Sequence, residues 1–437
     1  MLVYLLFDCL DQVMKMRRNE FFLGIIVFCL AALFLIYEMA VQVSPSVMTN
    51  QLMKDFGINA AALGWMASVY YYSYTIMQIP AGLLFDRYGP RTLLTVAACL
   101  CACGVLFFAV SETIYTAAVG RFLMGIGSSF AYIGVLVVSA RWFDKKYFPL
   151  LVGITQFLAC FGAIAGEAPL AKAVAIFGWR DLMWTLMIVG FVLAALYLTF
   201  FRDHPTHEFA DGNSHENSIL QHLRVVMTKP QSWFCGFYAF TAWGPIIMFA
   251  ALWGVPYLSE RFQVSDAYAA IGTMMMLLGS GLASPLIGSL SSLIGRRKPI
   301  LWLGALLGCV CFSMILYIPD LNFFSVCLLL FFSGIGTAAH IMTFAIASDN
   351  NPPQIVGTSL GFNNMAVVVG GVILQPLGGL ILNYFWAGTY NAEGAPLFSV
   401  DSYTASLSLI PILYFAGFLV AFLCIRETFC KNTYKIK

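Results

Sequence analysis

Three charged side chains stand where a charge is costly. Glu38, Arg121 and Glu167 each fall inside a long apolar run of the sequence. An ionised group at the centre of a lipid-spanning helix costs about 2.5–3.5 kcal/mol, so such residues are expected to face inward and pair. Counted from the polar breaks at about 1.5 Å per residue, the three share roughly one depth. Two carboxylates around one arginine cannot both be neutralised by it, so one becomes a candidate proton carrier. The chemistry expected is coupling: protonation of Glu38 or Glu167 frees Arg121 to hold an anionic group. The alternative is a static ion pair that staples helices together.

Softer candidates surround these. Gln42 is one helical turn from Glu38 on the same face. Tyr70, Tyr71, Tyr72 and Tyr74 with Gln78 make a polar-aromatic stripe, and helical spacing turns only some of them toward a cavity; Tyr70, Tyr74 and Gln78 are the candidates. Gln156, Asn363, Asn364 and Gln375 place amides in apolar runs, where they serve as interhelical glue or as ligand contacts. His340 is either a satisfied core histidine or a gating or proton-relay group. Trp243 can wall a cavity, as can Trp253, or both can be packing and interfacial anchors. Pro45, Pro80, Pro169, Pro245, Pro285 and Pro376 mark bends, because each removes a helix hydrogen bond.

The elements that position these residues follow from composition. The 437 residues are 60% hydrophobic and 10% charged, with a mean hydropathy of +0.84. A water-facing surface needs about 25% charged residues, and here the surroundings must be lipid. A net charge of +2 gives no reason to expect nucleic acid. Apolar runs long enough to cross a bilayer lie near residues 21–45, 63–84, 92–110, 114–140, 147–172 and 181–200. A second set lies near 232–257, 266–290, 299–317, 321–347, 355–384 and 405–425. The fold class expected is all-α and integral to the membrane, with twelve transmembrane helices in two pseudo-symmetric six-helix bundles. The expected layout is a segment 1–20, a bundle 21–200, a linker 201–231, a bundle 232–426 and a tail 427–437.

Basic residues give the orientation. All Lys and Arg except Lys54, Arg121, Lys172, Arg180 and Arg261 fall on one side if spans alternate. The positive-inside rule puts that side, and both termini, in the cytoplasm of a cell inner membrane. The N-terminus does not read as a cleaved signal, because its apolar stretch is broken by Asp8 and Asp11 and precedes Lys15, Arg17 and Arg18. Met14 and Met16 stand beside that cluster as alternative starts. The twelve cysteines include no Cys-x-x-Cys pair and read as small apolar fillers. The linker histidines His204, His207, His215 and His222 lack the spacing of a closed metal site. No metal and no cofactor is expected.

The halves are related. Gly82, Gly89 and Arg91 of GLLFDRYGPR match Gly288, Gly295 and Arg297 of GSLSSLIGRR at one constant offset. GIGSSFAYIGVLVVSA from Gly125 matches GIGTAAHIMTFAIASD from Gly334, which aligns His340 with Ala131. Gly153 and Gly162 match Gly361 and Gly370, setting Gln156 opposite Asn364 and Glu167 opposite Gln375. A six-helix unit used twice in the same orientation binds solute between its copies near the midplane.

Gly82, Asp86, Arg87, Gly89 and Arg91 resemble the G-x-x-x-D-R-x-G-R-R signature between the second and third helices of the major facilitator superfamily. Pro90 departs from it where a basic residue is usual. The second copy keeps Gly288, Gly295, Arg296 and Arg297, with Ser292 and Leu293 in place of the aspartate and arginine. Gly178-Trp179-Arg180 and Gly120-Arg121-Phe122 are similar to further family features. The stretch from Tyr37 to Arg91 is also similar to a bacterial branch of nutrient and siderophore carriers in intracellular pathogens. The resemblance implies that Asp86 meets the start of the eleventh helix, whose free N–H groups and dipole favour a carboxylate, and latches one face shut. A basic turn that only sets topology is the alternative. Gly82 is read as the point of close helix approach.

This resemblance implies a secondary transporter, expected to be a proton-coupled monomer, and the buried Arg121 points to uptake of a small polar, carboxylated solute: an amino acid, peptide, organic acid or siderophore. An exporter of drugs or metabolites shares the architecture, and a transporter-derived sensor is the alternative of another class. An ATP-driven pump is excluded by the lack of G-x-x-x-x-G-K-[ST]. No Ser-His-Asp or Cys-His grouping supports an enzyme.

Overall fold

The architecture was taken from a computed structural model, which describes residues 18–143, 148–203, 223–351, 355–390 and 396–430. The linker histidines and the far ends of the chain lie outside the described residues. So do the side chains of Asp86 and Arg87, and with them the expected latch.

Eleven helices among the described residues are long and apolar enough to cross a membrane. In chain order they are Phe22–Val47, Pro90–Ala109, Ile114–Ser139, Leu150–Phe177 and Trp179–Phe200, then Pro230–Phe262, Asp266–Ser291, Lys298–Tyr317, Phe323–Ala347, Thr358–Tyr384 and Val400–Leu423. The helix Ala60–Tyr88, of 29 residues, is longer than all of these but Pro230–Phe262. Its tyrosines and Gln78 lower its apolarity, and it takes its place as the second of twelve spans. The fold is that of two six-helix halves.

How the spans begin depends on which face they start from. Five of the six even-numbered spans, which start at the face poor in basic residues, have side-chain caps: Asn59, Thr113, Ser265, Asn322 and Ser399 each accept a backbone N–H of the first turn. The sixth span starts after Gly178 without one. Three odd-numbered spans at the basic face, the third, seventh and ninth, start instead with proline, at Pro90, Pro230 and Pro299. A first-turn N–H has no partner in any case, so a proline loses nothing there.

The duplication seen in the sequence is repeated in the packing. A Cβ on Gly125 would fall 2.1 Å from the Tyr70 carbonyl oxygen, and one on Gly334 would fall 2.0 Å from that of Met276. Tyr70 and Met276 occupy equivalent positions in the two units. Small residues let backbones touch where lipid gives little drive for association. Between halves, the second span runs along the eleventh and the fifth along the eighth. The seventh span is the most interior, 89% buried, and the sixth is mostly lipid-facing at 33%.

Five spans depart from regular helix, the twelfth only by a turn at Ser408, and two of the departures hold polar candidates, Glu167 and His340. The first ends in a 3-10 turn over Ser44–Val47. The fifth breaks at Gly166 and Glu167, because Pro169 supplies no N–H to the preceding turn. In the seventh, Pro245 leads into a π-helical stretch over Ile246–Trp253. The tenth breaks between Ala338 and Ile341, at His340.

Candidate functional site

Between the halves, near mid-span, lies a closed gap with room for about one water. Met39, Gln42 and Val43 of the first span, Tyr71 of the second and Ala159, Cys160 and Ala163 of the fifth line one side. Trp243, Ile246, Ile247 and Ala251 of the seventh span with Leu277 of the eighth line the other.

The three charges are buried as expected, but they do not form the expected cluster. Arg121 is 1% exposed and Glu38 and Glu167 are fully buried. Arg121 donates to the carbonyls of Val41 at 3.3 Å, Gln42 at 3.5 Å and Ala67 at 3.3 Å. Its guanidinium also lies 4.6 Å from the Tyr70 ring centre, where the π face attracts a cation. Glu38 accepts from the Tyr70 hydroxyl at 2.9 Å, and its second oxygen has no partner. Tyr70 therefore stands between the two charges, its ring on one and its hydroxyl on the other. No ion pair joins Arg121 to either carboxylate among the described residues, so the static pair is overturned. Backbone carbonyls, not a carboxylate, hold Arg121.

Glu167 is placed apart from both. The break in the fifth span points its carboxylate at the eighth, where Thr273 donates at 2.9 Å, while Ser46 of the first span reaches it at 3.3 Å. It is a bridge between the halves, on the side away from the basic face. The amides make the matching bridge on the basic side: Asn364 donates to Gln78 at 2.5 Å, leaving the Gln78 nitrogen unpartnered.

The remaining candidates divide. Gln42 and Trp243 line the gap, whereas Tyr70 and Tyr74 stack behind it with ring centres 5.7 Å apart. Gln156 contacts the Cys160 sulfur at 3.6 Å. Asn363 donates to Thr343 at 2.8 Å. His340 bonds the Thr337 carbonyl at 2.9 Å through Nδ1 and packs on Trp243, ring centres 4.7 Å apart. The sequence reading missed Tyr71 as a site residue. It is fully buried against the gap, its hydroxyl has no partner, and its ring is seated where a Cβ on Gly371 would fall, 2.1 Å away.

At the basic face the two loop copies are held alike. Gly89 and Gly295 take φ values of +73° and +66°, which a side chain would strain. The Arg91 N–H donates to Asp203 at 3.0 Å, and its guanidinium to the Leu198 carbonyl at 2.6 Å. In the second copy Glu427 accepts the N–H groups of Arg297 and Lys298 at 3.0 and 2.9 Å. Burial works against that carboxylate, but these and two further backbone N–H groups hold it below its ordinary pKa. Arg297 pairs with Asp349 at 2.8 Å; the first unit has Ala140 at the equivalent position. Arg296 is exposed. The expected close approach at Gly82 is not made, nor at Gly288: a Cβ on either would meet nothing within 4 Å.

A twelve-span chain of two like halves around a closed central gap is built as a carrier. Residues 26–278 and 247–429 match the model of the Major Facilitator Superfamily, and the chain belongs to that family of membrane transporters. It is 24% identical over 387 residues to the probable galactarate/D-glucarate transporter GudP of Bacillus subtilis, covering 79% of this chain and 82% of that one. To the uncharacterized transporter YybO of Bacillus subtilis it is 27% identical over 184 residues, 42% of each chain, so under half of that relative is spanned. A crystal structure of a bacterial homolog of the human lysosomal transporter Spinster, inward-facing and unoccupied, superposes with a TM-score of 0.75 at 15% identity. The match covers 94% of this chain and 99% of that one, and it speaks for the fold.

Proposed function

We propose that this protein is a proton-coupled importer of small carboxylated solutes. It acts as a monomer in the cell inner membrane, with both termini in the cytoplasm. The reading is carried by Arg121, a buried guanidinium with no acid at ion-pair distance among the described residues and an unpartnered Nε. A buried cation that no protein acid neutralises favours an anion in the space beside it. Glu38, held by one hydroxyl and otherwise unpaired, is the group that takes and releases the proton. Tyr70 ties the two events together, because it touches both charges. The name of the GudP relative, a carrier of sugar diacids, supports an anionic solute. The concentration of Lys and Arg on one face supports the orientation.

The test is uptake into proteoliposomes with an inward proton gradient. Carboxylates accumulate in the wild type, and a protonophore abolishes the accumulation. Glu38→Gln still exchanges solute but ignores the gradient, and Arg121→Gln raises the KM for carboxylates at least tenfold. An Arg121→Gln protein that carries carboxylates as well as the wild type would overturn the assignment.

A further inference from the structure

The two walls of the central gap differ in kind. The first half contributes the Gln42 amide and the Tyr71 hydroxyl, with Arg121 behind them through its bond to the Gln42 carbonyl, whereas the second half contributes only the indole N–H of Trp243 to an otherwise apolar face. The wall from the second half is Trp243, Ile246, Ile247, Ala251 and Leu277. The amide of Gln375 lies outside that lining; its nitrogen donates to the Ile247 carbonyl at 3.2 Å, and its oxygen has no partner. His340 packs on Trp243 and binds Thr337. Neither adds a polar surface to the gap.

We infer that the solute is a monocarboxylate with an apolar body, its carboxylate on Tyr71 and Gln42 and its tail against the Trp243 wall. This deepens the reading of Arg121 as anion-attracting and rests on it. The argument is one of satisfaction. Tyr71 has a buried donor and no partner, which is the state of a group that a ligand oxygen completes. A sugar diacid, by contrast, brings hydroxyls along its whole length and a second charge at the far end. Against this wall only the Trp243 indole N–H can take one of them, and each group left stranded weakens binding by roughly tenfold or more. An aliphatic or aromatic tail gains from the same wall by leaving water. The solute therefore differs from the one in the name of the GudP relative, although both are carboxylates.

Counterflow in proteoliposomes of the purified full chain tests this with four labelled solutes: 4-methyl-2-oxopentanoate, phenylacetate, glucarate and galactarate. The expected result is a kcat/KM at least tenfold higher for the two tailed monocarboxylates. Tyr71→Phe, which removes one oxygen atom, should raise their KM about tenfold. Leu277→Gln, which puts an amide into the apolar wall, should narrow their advantage over glucarate. Preferred carriage of glucarate or galactarate overturns the inference while leaving the carboxylate importer standing. Carriage of none of the four, with exchange of neutral or cationic solutes, overturns both.

Discussion

At the scale of single residues, what a charge touches matters more than how deep it lies. Asp55 on the face poor in basic residues shows the stabilising case. The Trp179 indole donates to it at 2.9 Å and Arg180 at 2.6 Å, while Arg180 also reaches the Ser111 carbonyl at 3.2 Å. The Gly178-Trp179-Arg180 motif thus ties three loops together. Burial alone would raise the Asp55 pKa, but the Trp179 and Arg180 bonds and the charges of Arg180 and Lys54 bring it below the ordinary value. A depressed carboxylate contributes stability above its unfolded pKa of about 3.9 and loses it as pH falls through the folded value. Asp55 is about one-third exposed, so screening leaves about 1 kcal/mol. Asp55→Asn should therefore lower the melting temperature of detergent-solubilised protein at pH 7, and the gap to wild type should close below pH 4. A gap that does not narrow as the pH falls below 4 would show that the carboxylate charge is not what the staple uses. Glu38, Arg121 and Glu167 show the other side of this. That they are buried was legible, since charges in apolar runs have few other places to go. Their partners were not, because equal depth on three helices leaves each helix free to rotate, and carbonyls and hydroxyls leave no mark as acceptors in a sequence.

Helices carry the next level of information, and there the sequence speaks clearly. Each span is its own run of apolar residues, and the repeated glycines show where helices of one unit cross. Gly334→Ala puts a methyl 2.0 Å from the Met276 carbonyl, a distance that only separation of the eighth and tenth spans relieves. That change should cost about 1–3 kcal/mol, as overpacking does, and Gly125→Ala should do the same in the first half against Tyr70. Gly82→Ala is the control, with open space around its new methyl. Its melting temperature should stay within a degree or two of wild type, although the glycine sits in the family signature. If Gly82→Ala loses stability as Gly334→Ala does, then the signature glycine is packed in the resting protein. The π-helical stretch of the seventh span was not legible. Pro245 announces a bend, but the widening over Ile246–Trp253 comes with a bond from the Gln375 nitrogen of another helix to the Ile247 carbonyl. A local sequence cannot encode that.

For the whole molecule, the two bridges between halves set the logic of transport. Gln78 and Asn364 join the second and eleventh spans toward the basic face, and Glu167 and Thr273 join the fifth and eighth toward the other. The gap at Gln42, Tyr71 and Trp243 lies between these two bridges. A carrier that rocks must open one bridge while keeping the other, so weakening them singly should expose the gap to opposite faces. Cys160 lines that gap and serves as the reporter once the other cysteines are replaced. Thr273→Val removes the donor that reaches Glu167 across the halves and leaves Ser46 in place. Its Cys160 should react faster with an impermeant thiol reagent applied at the face poor in basic residues. Asn364→Leu should speed the reaction from the basic face instead. Each change is expected to be several-fold, since a lost bond of about 1 kcal/mol shifts a two-state balance by roughly five-fold. Vesicles of the two orientations separate the faces. Acceleration from the same face in both variants would mean that the bridges do not act as opposed gates, and transport would then need a different hinge.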